Sequence, residues 1–175
     1  MATTNKYLRI YLNDHRAAAR AGLALANRCL ERNRGTGLGQ DLAVVVGEID
    51  DDLSTLERVA SALDIPADPL KNAAARAGEV VARLKLNGAV RQYSPLSRLL
   101  ELESLLAGID AKRSLWLSLQ TSLPNGVAGV DFRLLADRAG GQRDRLAPHH
   151  REAAALAFRG SDDGQPNQPT AAASR

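Results

Sequence analysis

The chain has 175 residues, enough for one domain with a buried core, and its 23 Lys and Arg nearly balance its 20 Asp and Glu. Alanine (30) and leucine (27) dominate while Phe, Trp and Tyr together number six, which favours close-packed helices over sheets. A lone cysteine, Cys29, excludes an intramolecular disulfide and a cysteine metal cage. No apolar run reaches the roughly 18 residues of a membrane span, and charges recur from Lys6 to Arg20, so the expectation is a cytoplasmic chain without leader or membrane contact.

Five helical segments are expected in chain order. The first runs from about Asn5 to Asn33, with Thr3 or Thr4 as its cap and Gly35 beyond its end. Arg34 to Gly39, rich in glycine, turns the chain; no strand precedes it and no lysine follows, so it is not a phosphate loop. The second segment spans about Gln40 to Leu63 and stops before Asp64-Ile65-Pro66. Asp68-Pro69 pairs a cap with a first-turn proline and opens a shorter third segment ending near Leu86. Ser94-Pro95 repeats that signal for a fourth, which ends near Leu123 ahead of Pro124-Asn125-Gly126. Asp131 caps a fifth reaching about Phe158, where Gly140-Gly141 and Pro148 should bend or split the helix. The expected domain is 1–159. From Gly160 the sequence is polar and proline-bearing, a disordered tail over 160–175.

Charge alternates by segment. Residues 1–34 carry seven Lys or Arg against Asp14 and Glu31, residues 40–68 carry eight acids against Arg58, and residues 71–98 are basic again. Such a series suits antiparallel neighbours whose flanks attract, whereas a phosphate-binding face has no use for the acidic middle; nucleic acid is therefore not the expected partner.

Apolar stripes at helical spacing support the segments: Leu8, Leu12, Ala19, Leu23, Ala26 and Leu30 in the first, Leu42, Val45, Ile49, Leu56 and Val59 in the second, Leu99, Leu102, Leu106, Ile109, Trp116 and Leu119 in the fourth. If the third segment runs back as a crossover, the other four form an up-down-down-up bundle; a plain five-helix meander is the alternative.

Polar residues on or beside these stripes are the informative positions. His15 and Asp52 fall on them, Glu48 lies one turn before Asp52, Glu103 borders the fourth stripe, and His149 follows the proline. Carboxylates and imidazoles projecting inward from several helices are what a bundle uses to hold a di-iron or di-manganese centre, so Glu48, Asp52, Glu103, His15 and His149 are the candidate metal ligands. The competing reading makes them structural contacts, with His15 bonded to a carboxylate such as Asp52. Cys29 reads as a small buried apolar residue, Trp116 and Tyr93 as core anchors, and Lys112-Arg113 beside Asp110 as a surface charge pair.

Three stretches carry a resemblance: Tyr11-Leu12-Asn13-Asp14-His15, the run from Tyr93 through Ser94-Pro95 to Leu102-Glu103, and Lys112-Arg113-Ser114-Leu115-Trp116. With the long helices and short loops, they make residues 5–158 resemble uncharacterised bacterial members of the ferritin-like superfamily. The resemblance implies an all-α, ferritin-like four-helix bundle with an extra shorter crossover helix and a kinked last helix. Metal-binding members carry Glu-x-x-His on two helices; here the nearest forms are Glu48-x-x-Asp51 and the reversed His149-x-x-Glu152.

The leading functional expectation is a non-catalytic binding or scaffolding bundle without a cofactor, acting on an unidentified protein partner or as a homodimer through an alanine-rich helix face. The second is a carboxylate–histidine bundle that holds iron or manganese for redox chemistry or sequestration. A DNA-associated role stands third.

Overall fold

The computed structural model describes residues 5–67 and 93–159, which form four long helices. They are α1 (Lys6–Arg32), α2 (Gly37–Ala62), α3 (Pro95–Ser122) and α4 (Phe132–Phe158). The expected third segment and the tail lie outside the described residues. Among the described residues, no helix is long and apolar enough to cross a membrane.

Each helix starts on a side chain that accepts a hydrogen bond from an otherwise unpaired first-turn N–H. Asn5 accepts from Tyr7, Thr36 from Gly39, Ser94 from Ser97 and Asp131 from Leu134. Ser94 and Asp131 are the caps the sequence predicts. At α1 the cap is Asn5 rather than Thr3 or Thr4. The second helix begins at Gly37 and not Gln40, because Thr36 recruits half of the glycine-rich loop into the first turn. Gly39 packs so tightly on Asn33 that a Cβ there would overlap the Asn33 carbonyl. At the proline of α4, a split is not what is found. The helix runs unbroken through Gly140, Gly141 and Pro148.

Inter-helix pairs fix the directions. Arg16–Glu57 sets α1 antiparallel to α2, and Tyr11–Ser118 with Arg32–Glu101 sets α1 antiparallel to α3. Asp41–His149 with Asp52–Arg138 sets α2 against α4, and Asp110–Arg143 with Glu103–His150 sets α3 against α4. The remaining pairs, α1 with α4 and α2 with α3, face each other across the diagonals. Hence α2 and α3 run parallel, and the end of α2 and the start of α3 lie at opposite ends of the bundle, about 39 Å apart for a helix of this length.

The interior divides in two. One apolar cluster centres on Leu42, Val45, Leu99, Leu102, Leu105 and Leu146, the other on Leu12, Leu56, Leu115, Trp116, Leu119 and Phe132. Each large side chain buried there contributes about 1.5–3 kcal/mol. Trp116 stacks on Phe132 with ring centroids 6.1 Å apart, so the expected core anchor holds. Between the two clusters the helices present polar groups.

Candidate functional site

The stripe of α2 passes from Ile49 to Leu56 through Asp52, that of α3 from Ile109 to Leu115 through Lys112, and that of α4 from Ala139 to Leu146 through Gln142. These three positions share one level of the bundle, so three polar side chains meet where further apolar side chains would otherwise join the two clusters. Lys112 Nζ lies 2.5 Å from Asp52 Oδ2 and 2.5 Å from Gln142 Oε1. Gln142 Nε2 donates to the same carboxylate oxygen at 3.3 Å, and Arg138 donates to Asp52 Oδ1 from the side of α4. The Asp52 side chain is 2% exposed and that of Lys112 14%. A charge so deeply placed is tolerable only when paired and hydrogen-bonded, and both Asp52 oxygens are engaged that way. Burial lowers the Lys112 pKa below the usual lysine range, although Asp52 pulls it back up.

Beside this layer lies a cavity of about 90 Å³, partly open to solvent and walled by α1, α2 and α3. It exists because α1 offers only Ala18, Ala19 and Gly22 at that level, side chains too small to reach the facing helices. Ile49, Leu53, Leu105 and Trp116 form apolar wall, while His15, Asp52, Ser104 and Lys112 supply its polar points. His15 rests edge-on against Tyr11, ring centroids 4.5 Å apart, and among the described residues it has no hydrogen-bond partner. Burial lowers its pKa, with Asp14 acting the other way, so the ring is neutral at pH 7.

The sequence-predicted site residues are therefore only partly brought together. His15 and Asp52 line one cavity, but Asp52 bonds Lys112, Arg138 and Gln142 rather than His15. His149 bonds Asp41 at 2.8 Å, and the exposed Glu103 meets His150 at 3.5 Å. Glu48 is half-buried and acts on Lys112 through its charge. Among the described residues, no three His, Cys, Asp or Glu side chains stand together as a metal-ion site. Both Asp52 oxygens are held by cationic donors, Lys112 on one and Arg138 on the other.

Lys112 itself corrects the sequence reading. It is not half of a surface pair with Asp110; Asp110 turns outward to Arg143 at 3.1 Å while Lys112 turns inward. The chain matches no family model, no curated protein and no solved structure.

Sequence reasoning also missed the polar group at the far end of α1. Glu101, 4% exposed, receives Arg32 at 2.6 Å, Arg28 at 3.4 Å and the Cys29 thiol at 3.4 Å. Tyr93 lies under the guanidinium groups of both Arg32 and Arg98, and its hydroxyl accepts from Asn33 at 2.8 Å. Cys29 is buried as expected, but bonded to a carboxylate. This group ties α1 to α3.

Proposed function

We propose that this chain is a non-catalytic binding module, a helical bundle of ferritin-like type that takes a small, largely apolar molecule into the cavity between α1, α2 and α3. The observation that carries this reading is the cavity itself, set against a buried charged layer. An unfilled concavity forfeits the packing contacts its lining would otherwise make. A buried ion pair adds little to stability over apolar packing. Together they make a poor way to stabilise a bundle and a good way to hold a ligand, since binding sites are mostly apolar concavities with a few fixed polar groups. The ferritin-like part of the proposal is supported by the parallel diagonal pair, α2 and α3, joined by one long connection over residues 63–94. A cytoplasmic setting, where Cys29 stays a thiol, belongs to the same proposal.

The test is thermal unfolding with a saturating small alcohol such as butan-1-ol. The wild-type chain should gain several degrees, and Gly22→Leu, which fills the cavity, should gain none. Equal shifts in both chains, or none in either, would remove the proposal. A homodimer through an alanine-rich helix face belongs to the same reading. Elution as a monomer at high concentration would exclude the homodimer.

A further inference from the structure

We propose that Lys112 captures small apolar aldehydes in this cavity as a reversible imine, with Asp52 as its proton partner. The inference rests on reading the cavity as a binding site, and it adds the ligand class and the bond formed.

The choice of cation is the first support. The chain has four lysines, Lys6, Lys71, Lys85 and Lys112, and 19 arginines. Arginine serves the described inter-helix ion pairs at Glu57, Glu101, Asp110 and Asp41, yet the cation in the cavity wall is a lysine. A guanidinium cannot lose its proton in a protein and an ammonium can, so this is the one cation of the set able to become a nucleophile.

Geometry supplies the second. Asp52 Oδ2 and Gln142 Oε1 hold Nζ from two sides at 2.5 Å each, which fixes two of its three N–H directions. Transfer of the shared proton to Asp52 leaves a neutral amine that still donates to Gln142, and rotation about the Cε–Nζ bond turns its lone pair toward the carbonyl carbon. Burial favours that neutral form, as does the positive charge of Arg138, while Asp52 and Glu48 favour the ammonium.

The step balances within the site. The Asp52 carboxylate takes one proton from the ammonium, and the amine lone pair attacks the aldehyde carbon, forming the C–N bond as the carbonyl pair moves to oxygen. A proton passes from nitrogen to that oxygen, giving a carbinolamine. Asp52 then returns its proton to the hydroxyl, which leaves as water while the nitrogen pair closes the C=N bond. The sum is ammonium plus aldehyde giving protonated imine plus water, with Asp52 unchanged. The nitrogen is positive at the start as ammonium and at the end as protonated imine, and neutral in between while Asp52 holds the proton, so the buried ion pair is restored when water leaves, and Arg138 stays on the other carboxylate oxygen. Ile49, Leu53, Leu105 and Leu115 offer the alkyl chain an apolar wall and limit the water that would reverse the reaction.

The experiment incubates the full chain near neutral pH with butanal and sodium cyanoborohydride, which reduces an imine to a stable secondary amine, and maps the modified lysines by mass spectrometry. Lys112 should be alkylated faster than Lys6, Lys71 or Lys85 by about tenfold or more. Gly22→Leu should bring Lys112 down to the rate of the others while the chain still melts cooperatively. Even labelling of all four lysines in the wild type overturns the inference, as does selective labelling of Lys112 that survives Gly22→Leu. Butan-1-ol separates the two readings. Stabilisation by the alcohol without selective trapping leaves the cavity a binding site and removes the imine; selective trapping without stabilisation keeps the imine and removes the non-covalent reading.

Discussion

The thiol of Cys29 on α1 points its hydrogen at the buried carboxylate of Glu101 on α3, with Sγ 3.4 Å from Oε2. Burial first, then the charge and hydrogen bond of Glu101, push the thiol far above the ordinary cysteine range, and Arg28 and Arg32 only partly offset this. A thiolate is what reacts with disulfides and alkylating agents, so Cys29 should be inert in the native chain. Its labelling by a thiol reagent at pH 8 should proceed only as fast as the chain unfolds and become immediate in denaturant. Rapid labelling of the folded chain would contradict this arrangement.

Asp52 should be the costliest single side chain to truncate in the polar layer. Asp52→Ala leaves Lys112 without a counter-charge in a buried position and should cost about 3–5 kcal/mol in urea unfolding. The double change Asp52→Leu with Lys112→Met removes both charges and fills part of the space, so it should recover most of that loss. Arg138 does not prevent the recovery, because its side chain is 29% exposed and can turn to water. A double variant no more stable than Asp52→Ala would show that the layer acts through something other than charge pairing.

His15 sets a pH dependence of definite sign. Its folded pKa lies below the unfolded value of about 6.5, so between those two values the unfolded chain binds the extra proton. Stability therefore rises with pH across that window and falls on acidification from neutrality. His15→Phe should flatten this part of the stability profile, measured by unfolding between pH 7 and pH 5. A slope unchanged by the substitution would mean that other groups carry it.

Two glycines should respond oppositely to alanine. A Cβ at Gly22 meets nothing within 4 Å, so Gly22→Ala replaces a flexible helix interior residue at no steric cost and should stabilise by about 0.5–1 kcal/mol. A Cβ at Gly39 would collide with the backbone of Asn33, so Gly39→Ala should destabilise by about 1–3 kcal/mol by prising α1 from α2. Chemical unfolding of the two variants side by side checks both signs.

Much of the architecture was legible before any coordinates. Ser94-Pro95 and Asp131 mark the starts of α3 and α4 because short polar side chains satisfy first-turn N–H groups and proline needs none. The stripes of α2 and α3 predict the buried Val45, Leu56, Ile109 and Trp116. The start of α2 was less legible, since glycines usually signal a turn and here Thr36 caps a helix that begins inside them. The sequence points to Glu103, whereas Glu101 is the buried acid. Both flank the stripe of α3, and only the positions of α1 and α4 decide which flank is covered.

For the site, the sequence held one signal that a search confined to acids and histidines passes over. Lys112 falls three residues after Ile109 and four before Trp116, on the apolar stripe, in a chain that otherwise prefers arginine. Gln142 stands likewise between Ala139 and Leu146. Helical periodicity, which depends only on local geometry, was enough to determine an all-helical chain, the helix ends at Ser94 and Asp131, and most of the core. Tertiary structure alone decided that Asp52, Lys112, Arg138 and Gln142 meet, and that α1 leaves a cavity beside them. Those four residues are as many as 90 positions apart, and which of them share a level depends on how three helices slide along one another, a register that pairing and packing fix and no local pattern encodes.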